Sequence, residues 1–389
     1  MSLQSHASRH ALVSLLSQPH LPRGDRVVVL QVLNTLLANQ ETKSEAIAAG
    51  APGALAGLML GVGRGGGGGE AAASGEGEAG GGGGGDGEAS GGDGAEGGGG
   101  EGDDPGYALQ QALCCRALES LCLLPQGRAA AVDSAGLHAL TAALGSAPEA
   151  AAAALRALTG AADGITHLQR SPARVVASLV DALGRPATPL PACRDAAAVL
   201  AGAASTDAGV IEACASQVPA AVVALARRVL RFRLDATEGG GGAEGGEGLL
   251  AGVLREACGC MRALCHHADG KTQVREAGGI EALAAVLTAA GAGAALHGLV
   301  ASALALIAVD AAAKGPVMAH AGAALVGLLK AAAAAGAAAA ALRLALEAPG
   351  ARRRLEALLT PQERAALLGR LPDTPPAYRF VLTPPPAAQ

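Results

Sequence analysis

Large apolar residues recur along the chain in pairs four positions apart. The pairs are Leu55/Met59, Leu140/Leu144, Leu179/Leu183, Leu225/Val229, Leu283/Leu287, Leu325/Leu329 and Leu355/Leu359. Residues four apart share one face of an α-helix, so each pair predicts a helix with one buried stripe. Gly50, Gly136, Gly278 and Gly322 stand shortly ahead of four of these pairs. Glycine there can take positive φ and let one helix end as the next begins. A second, Ala-rich pattern lies between the pairs, over residues 109–124, 149–163, 193–207, 254–269 and 299–313. It predicts a longer helix in each unit, whose small residues allow close approach. Leu118, Leu158, Leu200, Leu264 and Leu304 would fill the space between layers, each contributing roughly 1.5–3 kcal/mol on burial.

The spacing is regular. Leu140 to Leu179 is about 39 residues, Leu179 to Leu225 about 46 and Leu283 to Leu325 about 42, the period of helical-repeat arrays. Two gaps are longer, and each holds a low-complexity stretch. Residues 61–106 are almost entirely Gly, Ala, Glu and Asp, and 235–248 read "DATEGGGGAEGGEG". Neither has the apolar side chains that repay the entropy of ordering, so both are expected to be disordered insertions. The expected organisation is N-terminal helices and a first repeat over 1–60, the insertion 61–106, an array over 107–360 interrupted at 235–248, and an extended Pro-rich tail over 361–389. The fold class is all-α: a right-handed solenoid of about seven repeats.

Composition supports this picture. Tyr107, Phe232, Tyr378 and Phe380 are the only aromatics in 389 residues. A single compact core of this size would use many, because each buries a large area. The net charge of −5 is not the footprint of a nucleic-acid binder. No run of about 18 large apolar residues predicts a membrane span, and the N-terminus shows no signal-peptide h-region. The eight cysteines are irregularly placed within helical stretches, as expected for reduced thiols in the cytoplasm.

The unit Arg262–Leu287, "RALCHHADGKTQVREAGGIEALAAVL", resembles an armadillo repeat: a long helix, a short polar helix, a Gly turn and a helix carrying the Leu pair. The likeness covers about residues 25–60 and 107–360. At the positions of the Asn ladder used by nuclear-import armadillo proteins stand Thr35, Ser120, Gly160, Gly202, His266 and Leu306. None is Asn and the chain has no Trp, which argues against a nuclear-localisation-signal receptor. "LPQG" at Leu124–Gly127, "GKTQV" at Gly270–Val274 and "EAPGARR" at Glu347–Arg353 resemble segments of the radial-spoke armadillo family of motile cilia and flagella, in the same order. That resemblance implies a structural subunit of the axonemal radial spoke, placed in the cytoskeleton of the cilium, with other spoke subunits as partners. It implies no cofactor, nucleic acid, membrane or small-molecule substrate. Armadillo arrays serve many partners, so a soluble adaptor outside cilia, such as a ubiquitin-ligase or trafficking cofactor, is the competing expectation.

Sharper motifs dissolve on inspection. "GKT" at Gly270–Thr272 lacks the first glycine of a phosphate-binding loop, since position 265 is Cys. Cys258, Cys260, Cys265, His266 and His267 are zinc-type ligands, but on a helix Cys260 points away from Cys258 and Cys265, and the histidines diverge by about 100°. No G-x-S-x-G elbow is present, so no enzyme is expected. The candidate protein-binding residues are Arg227, Arg228, Arg231 and Arg233, then Arg352, Arg353 and Arg354. Tyr378 and Phe380 join them as anchors in the tail.

Overall fold

The computed structural model describes residues 10–18, 20–61, 105–170, 174–238, 244–289, 292–331 and 335–363. Among them every regular element is a helix. Residues 10–16 form α1. A repeating group follows: a long helix, a short one crossing its end, and a third carrying the Leu pair. The groups are α2 (Arg23–Leu36), α3 (Gln40–Ala48) and α4 (Ala51–Leu60); α5 (Pro105–Cys122), α6 (Pro125–Asp133) and α7 (Gly136–Ala143); α8 (Pro148–Thr159), α9 (Ala162–Arg170) and α10 (Val175–Gly184). Next come α11 (Leu190–Ala203), α12 (Asp207–Ala215) and α13 (Val218–Glu238), then α14 (Glu244–Leu264), α15 (Ala268–Glu276) and α16 (Gly279–Thr288). After α17 (Ala294–Ile307), the single helix α18 (Ala311–Lys330) takes both later roles, and α19 (Ala335–Ala345) and α20 (Ala351–Ala357) close the series.

The long and the third helices each pack on their counterparts in the next group. The long helices touch in the order α2, α5, α8, α11, α14, α17, α19, and the third helices in the order α4, α7, α10, α13, α16, α18, α20. Such layered stacking is consistent with an α-solenoid, in which contacts are to neighbours and stability is spread along the chain. All seven predicted apolar pairs are buried, and Leu118, Leu158, Leu200, Leu264 and Leu304 are fully so.

The crossing of long and short helices explains a repeated glycine. Gly127, Gly164, Gly209 and Gly270 are each the third residue of a short helix. A Cβ at these positions would stand 2.0, 1.9, 1.8 and 2.1 Å from the carbonyl oxygens of Leu121, Leu158, Ala203 and Leu264. The two backbones therefore meet with no room for a side chain. In the outer groups the same position holds Thr42 and Ala313, both buried. Short helices begin on side chains that accept a free backbone N–H: Asn39 from Glu41, Thr206 from Gly209, His267 from Asp269 and Asp310 from Ala312.

Several expected boundaries move. His266 and His267 do not close the long helix, because α14 ends at Leu264 and His267 caps α15. Asp269 and Gly270 belong to the first turn of α15, so Asp269 is not part of the long helix expected over 254–269. Positive φ does mark the passage from short to third helix, at Gly50 (80°), Ala135 (59°), Arg174 (48°), Gln217 (62°) and Gly278 (80°). The turn thus falls on Ala135, while Gly136 opens α7 against the Ala131 carbonyl. Gly322 lies inside the continuous α18 and makes no turn.

The expected loop 235–248 is entered by helix from both sides, α13 running to Glu238 and α14 starting at Glu244. Residues 239–243 lie outside the described set, as does most of the insertion, 62–104. At the far end the tail begins as helix over 361–363, where Thr360 Oγ1 and Glu363 exchange capping bonds. Its remainder lies outside the described residues.

Candidate protein-binding surface

The long-helix layer carries a strip of small and charged side chains. Ala153, Ala157, Gly160, Ala198, Gly202 and Gly259 reach its surface. Gly259 has no atom within 4 Å of where a Cβ would stand, so the strip is smooth by composition rather than by crowding. A hollow of about 480 Å³ opens there, lined by Glu119, Arg128, Arg156 and Asp195 among others.

An ion-pair network spans three successive long helices along this strip. Arg156 Nη1 of α8 donates to Asp195 Oδ1 of α11 at 2.7 Å, and Arg194 Nε donates to the same oxygen at 2.9 Å. The other amine of Arg156 lies 3.6 Å from Glu256 Oε1 of α14. The Asp195 side chain is only 5% exposed. A carboxylate so buried must be satisfied, and two guanidiniums meet that need. Arg156 keeps 43% of its side-chain surface, so water screens the pair and its net worth is modest. Glu119 sits beside the network. Burial raises its pKa, Asp195 raises it further, and Arg116 pulls the other way.

The short helices are linked laterally in a repeated manner. Arg128 Nε lies 3.5 Å from Asp163 Oδ2 in the next group. Gln169 bonds the capping Thr206, and Lys314 pairs with Glu347. Arg275 Nη1 donates to the capping Asp310 at 2.6 Å. The contacts of Arg128, Gln169 and Arg275 each tie one short helix to the start of its counterpart, and Lys314 reaches the connection between α19 and α20, which fixes the step between groups.

The predicted basic residues separate into three kinds. Arg227 and Arg228 serve the fold. Arg227 Nη2 donates to the Gly278 carbonyl at 3.0 Å. Arg228 donates to the carbonyls of Leu183 (3.5 Å) and Arg185 (3.2 Å), and its Nη2 reaches Cys193 Sγ at 2.8 Å. Arg231 is exposed, and Arg233 has a buried Nη1 with no hydrogen-bond partner among the described residues. Arg352, Arg353 and Arg354 are exposed together on α20, the pattern of a solvated helix face. Tyr378 and Phe380 lie outside the described residues.

The cysteines and histidines from Cys258 to His267 are dispersed. Cys258, Cys260 and Cys265 are wholly buried in the helix stack. Burial pushes the thiols of Cys258 and Cys265 up to about 12. His266 titrates below its ordinary value, through burial and then the nearby Arg262 and Lys271. Among the described residues no three His, Cys, Asp or Glu side chains converge on a common point.

Asp195 and Arg156 were not singled out from the sequence. A signal was present: Asp195 occupies a position in register with the buried Ala192 and Val199, where only a paired acid is tolerated. Comparison of the chain with protein-family models and with curated proteins finds no match.

Proposed function

We propose that this chain is a non-enzymatic scaffold, a right-handed armadillo-type solenoid that serves as a subunit of the axonemal radial spoke. The observation that carries the reading is the three-helix period. HEAT units have two helices and armadillo units three, and the groups from α2 through α16 each have three. Two of the motifs that resemble the radial-spoke family fall at corresponding places in that period, and the third falls at the entry to the last helix. "LPQG" starts a short helix with Pro125 at its first position and Gly127 at the backbone crossing. "GKTQV" places Gly270 at the same crossing and buries Val274. In "EAPGARR", Gly350 (φ 75°) turns the chain into α20, and Glu347 pairs with Lys314.

A scaffold needs a fixed spacing of surfaces rather than a reactive group. Backbone-contact crossings and lateral ion pairs supply the fixed step, and the solvent-facing strips supply the surfaces. The same features serve the scaffolding role in motility through protein–protein contacts with other spoke subunits.

The test is fractionation of a ciliated cell expressing the tagged full chain. Retention in salt-extracted axonemes, with co-purification of other spoke subunits, is the expected result. A wholly soluble pool in the cell body, with no spoke subunit attached, refutes the assignment and favours the adaptor reading.

A further inference from the structure

The third helix of the fourth group is unlike the others. α13 runs for 21 residues, against 10 for α10 and 10 for α16. Its added length carries Phe232, 50% exposed, and Leu234, 63% exposed. Phe232 is one of two phenylalanines in the chain, and it stands half-exposed beside an apolar cleft.

Beside it lies a cleft of about 420 Å³ between the C-terminal end of α10 and the outer part of α13. Its walls include Leu183, Pro186, Leu225 and Phe232, and its polar groups are Arg228 and Arg231. Leu183 and Leu225 are buried. Arg228 keeps its place through neutral carbonyls and a thiol, and its Nε is buried without a hydrogen-bond partner among the described residues. Arg185 and Arg231 are exposed. Two guanidinium charges, those of Arg228 and Arg231, thus line an apolar cleft, the exposed Arg185 falls between its wall residues Gly184 and Pro186, and no carboxylate whose side chain the structure describes is bonded to any of the three. Asp181, exposed one turn before Arg185, is the nearest acid in sequence on α10.

We infer that this cleft docks an acidic segment of another protein, one that carries a large apolar side chain. The apolar walls accept the side chain and the guanidiniums accept flanking carboxylates, an arrangement in which arginine is the favoured cation. Two segments of this chain itself do not fit these terms. Residues 62–104 are acidic but offer Val62 as their one large apolar side chain. Residues 371–389 hold Tyr378 and Phe380, but Asp373 is their single acid and Arg379 offsets it. Nucleic acid is disfavoured by the overall negative charge.

The test uses the full-length protein and a fluorescein-labelled peptide of six glutamates around a central phenylalanine, read by fluorescence anisotropy. Saturable binding that weakens with salt is expected. Replacing the peptide's phenylalanine with alanine, or introducing Arg231→Glu, is expected to raise Kd about tenfold, the loss of one good contact. Phe232→Ala acts on the apolar half alone and is expected to erase the preference for the phenylalanine peptide. Both side chains are exposed, so unchanged thermal unfolding verifies the fold of each variant. The inference is overturned by absent binding, by equal affinity of wild type and Arg231→Glu, or by tighter binding of oligouridylate or of phosphatidylserine vesicles at the same cleft. None of these outcomes depends on where in the cell the protein resides.

Discussion

Replacing Gly270 with alanine tests the backbone crossing that sets the repeat. The new Cβ would stand 2.1 Å from the Leu264 carbonyl oxygen and 2.8 Å from its carbon. Real Cβ contacts essentially never fall below 3.0 Å, so α15 must move about an ångström away from the end of α14. The obstacle is backbone, and no rotamer change relieves it. The same carbonyl accepts the His267 N–H at 3.1 Å, which the shift would strain. Overpacking of this kind costs about 1–3 kcal/mol. Against it stands the helix preference of alanine over glycine, at most about 1 kcal/mol and least in a first turn. The expected result is a net loss of about 1–2 kcal/mol, the difference of those two terms.

Gly259→Ala is the matched control. It lies within α14 with nothing inside 4 Å, so the propensity term acts alone and stability should rise by up to about 1 kcal/mol. Urea unfolding followed by circular dichroism measures both variants. Hydrogen exchange at the α14–α15 boundary reads the local effect, since opening in an array is regional. If Gly270→Ala is as stable as wild type, or gains like Gly259→Ala, the crossing is not held at backbone contact and the reasoning fails.

Four further outcomes are expected. Ala135→Gly should stabilise by about 0.5–1 kcal/mol in thermal unfolding, because Ala135 holds φ 59° where a Cβ is penalised; a loss would contradict the assignment of the turn. Asp195→Ala should cost about 1 kcal/mol or less, since it strips a charge-assisted acceptor from Arg156 and Arg194, both exposed enough for water to replace it, and the double variant with Arg156→Ala should cost less than the sum of the two singles. The thiols of Cys114, Cys122, Cys258 and Cys265, pushed up to about 12 mainly by burial, should ignore a disulfide reagent at about pH 8 and react only on unfolding; rapid labelling of the native protein would refute their burial. In acid, burial alone would raise Asp163, but the Gly164 N–H and Arg128 outweigh it and hold its pKa below the ordinary 3.8. Its contribution is therefore present above pH 3.8 and fades as pH falls through the lowered folded value. Asp163→Asn should flatten that part of the acid-unfolding curve slightly, because the carboxylate is 49% exposed; an unchanged curve would show the Arg128 link to be inert.

The apolar period determined a great deal without any structure. Pairs such as Leu283/Leu287 and long-helix leucines such as Leu264 had to be buried, because helical geometry puts them on one face and nothing else could cover that face. The all-helical class and the approximate unit length follow from the same pattern. Tertiary structure decided what the pattern is silent about. Whether a glycine is a turn or a contact depends on what another helix brings near it: Gly270 proved to be a contact and Gly322 the interior of one helix, while the turn itself fell on Ala135. Charges sorted in the same way. Arg227 and Arg231 stand one helical turn apart and look alike in sequence, yet the Gly278 carbonyl from the next group occupies the first and leaves the second to solvent. Local preferences act over a few residues and are written in the chain directly. Partners supplied by neighbouring groups arrive from tens of residues away, as Arg228 with Arg185 at a separation of 43 and Arg227 with Gly278 at 51 show, and only packing brings them together.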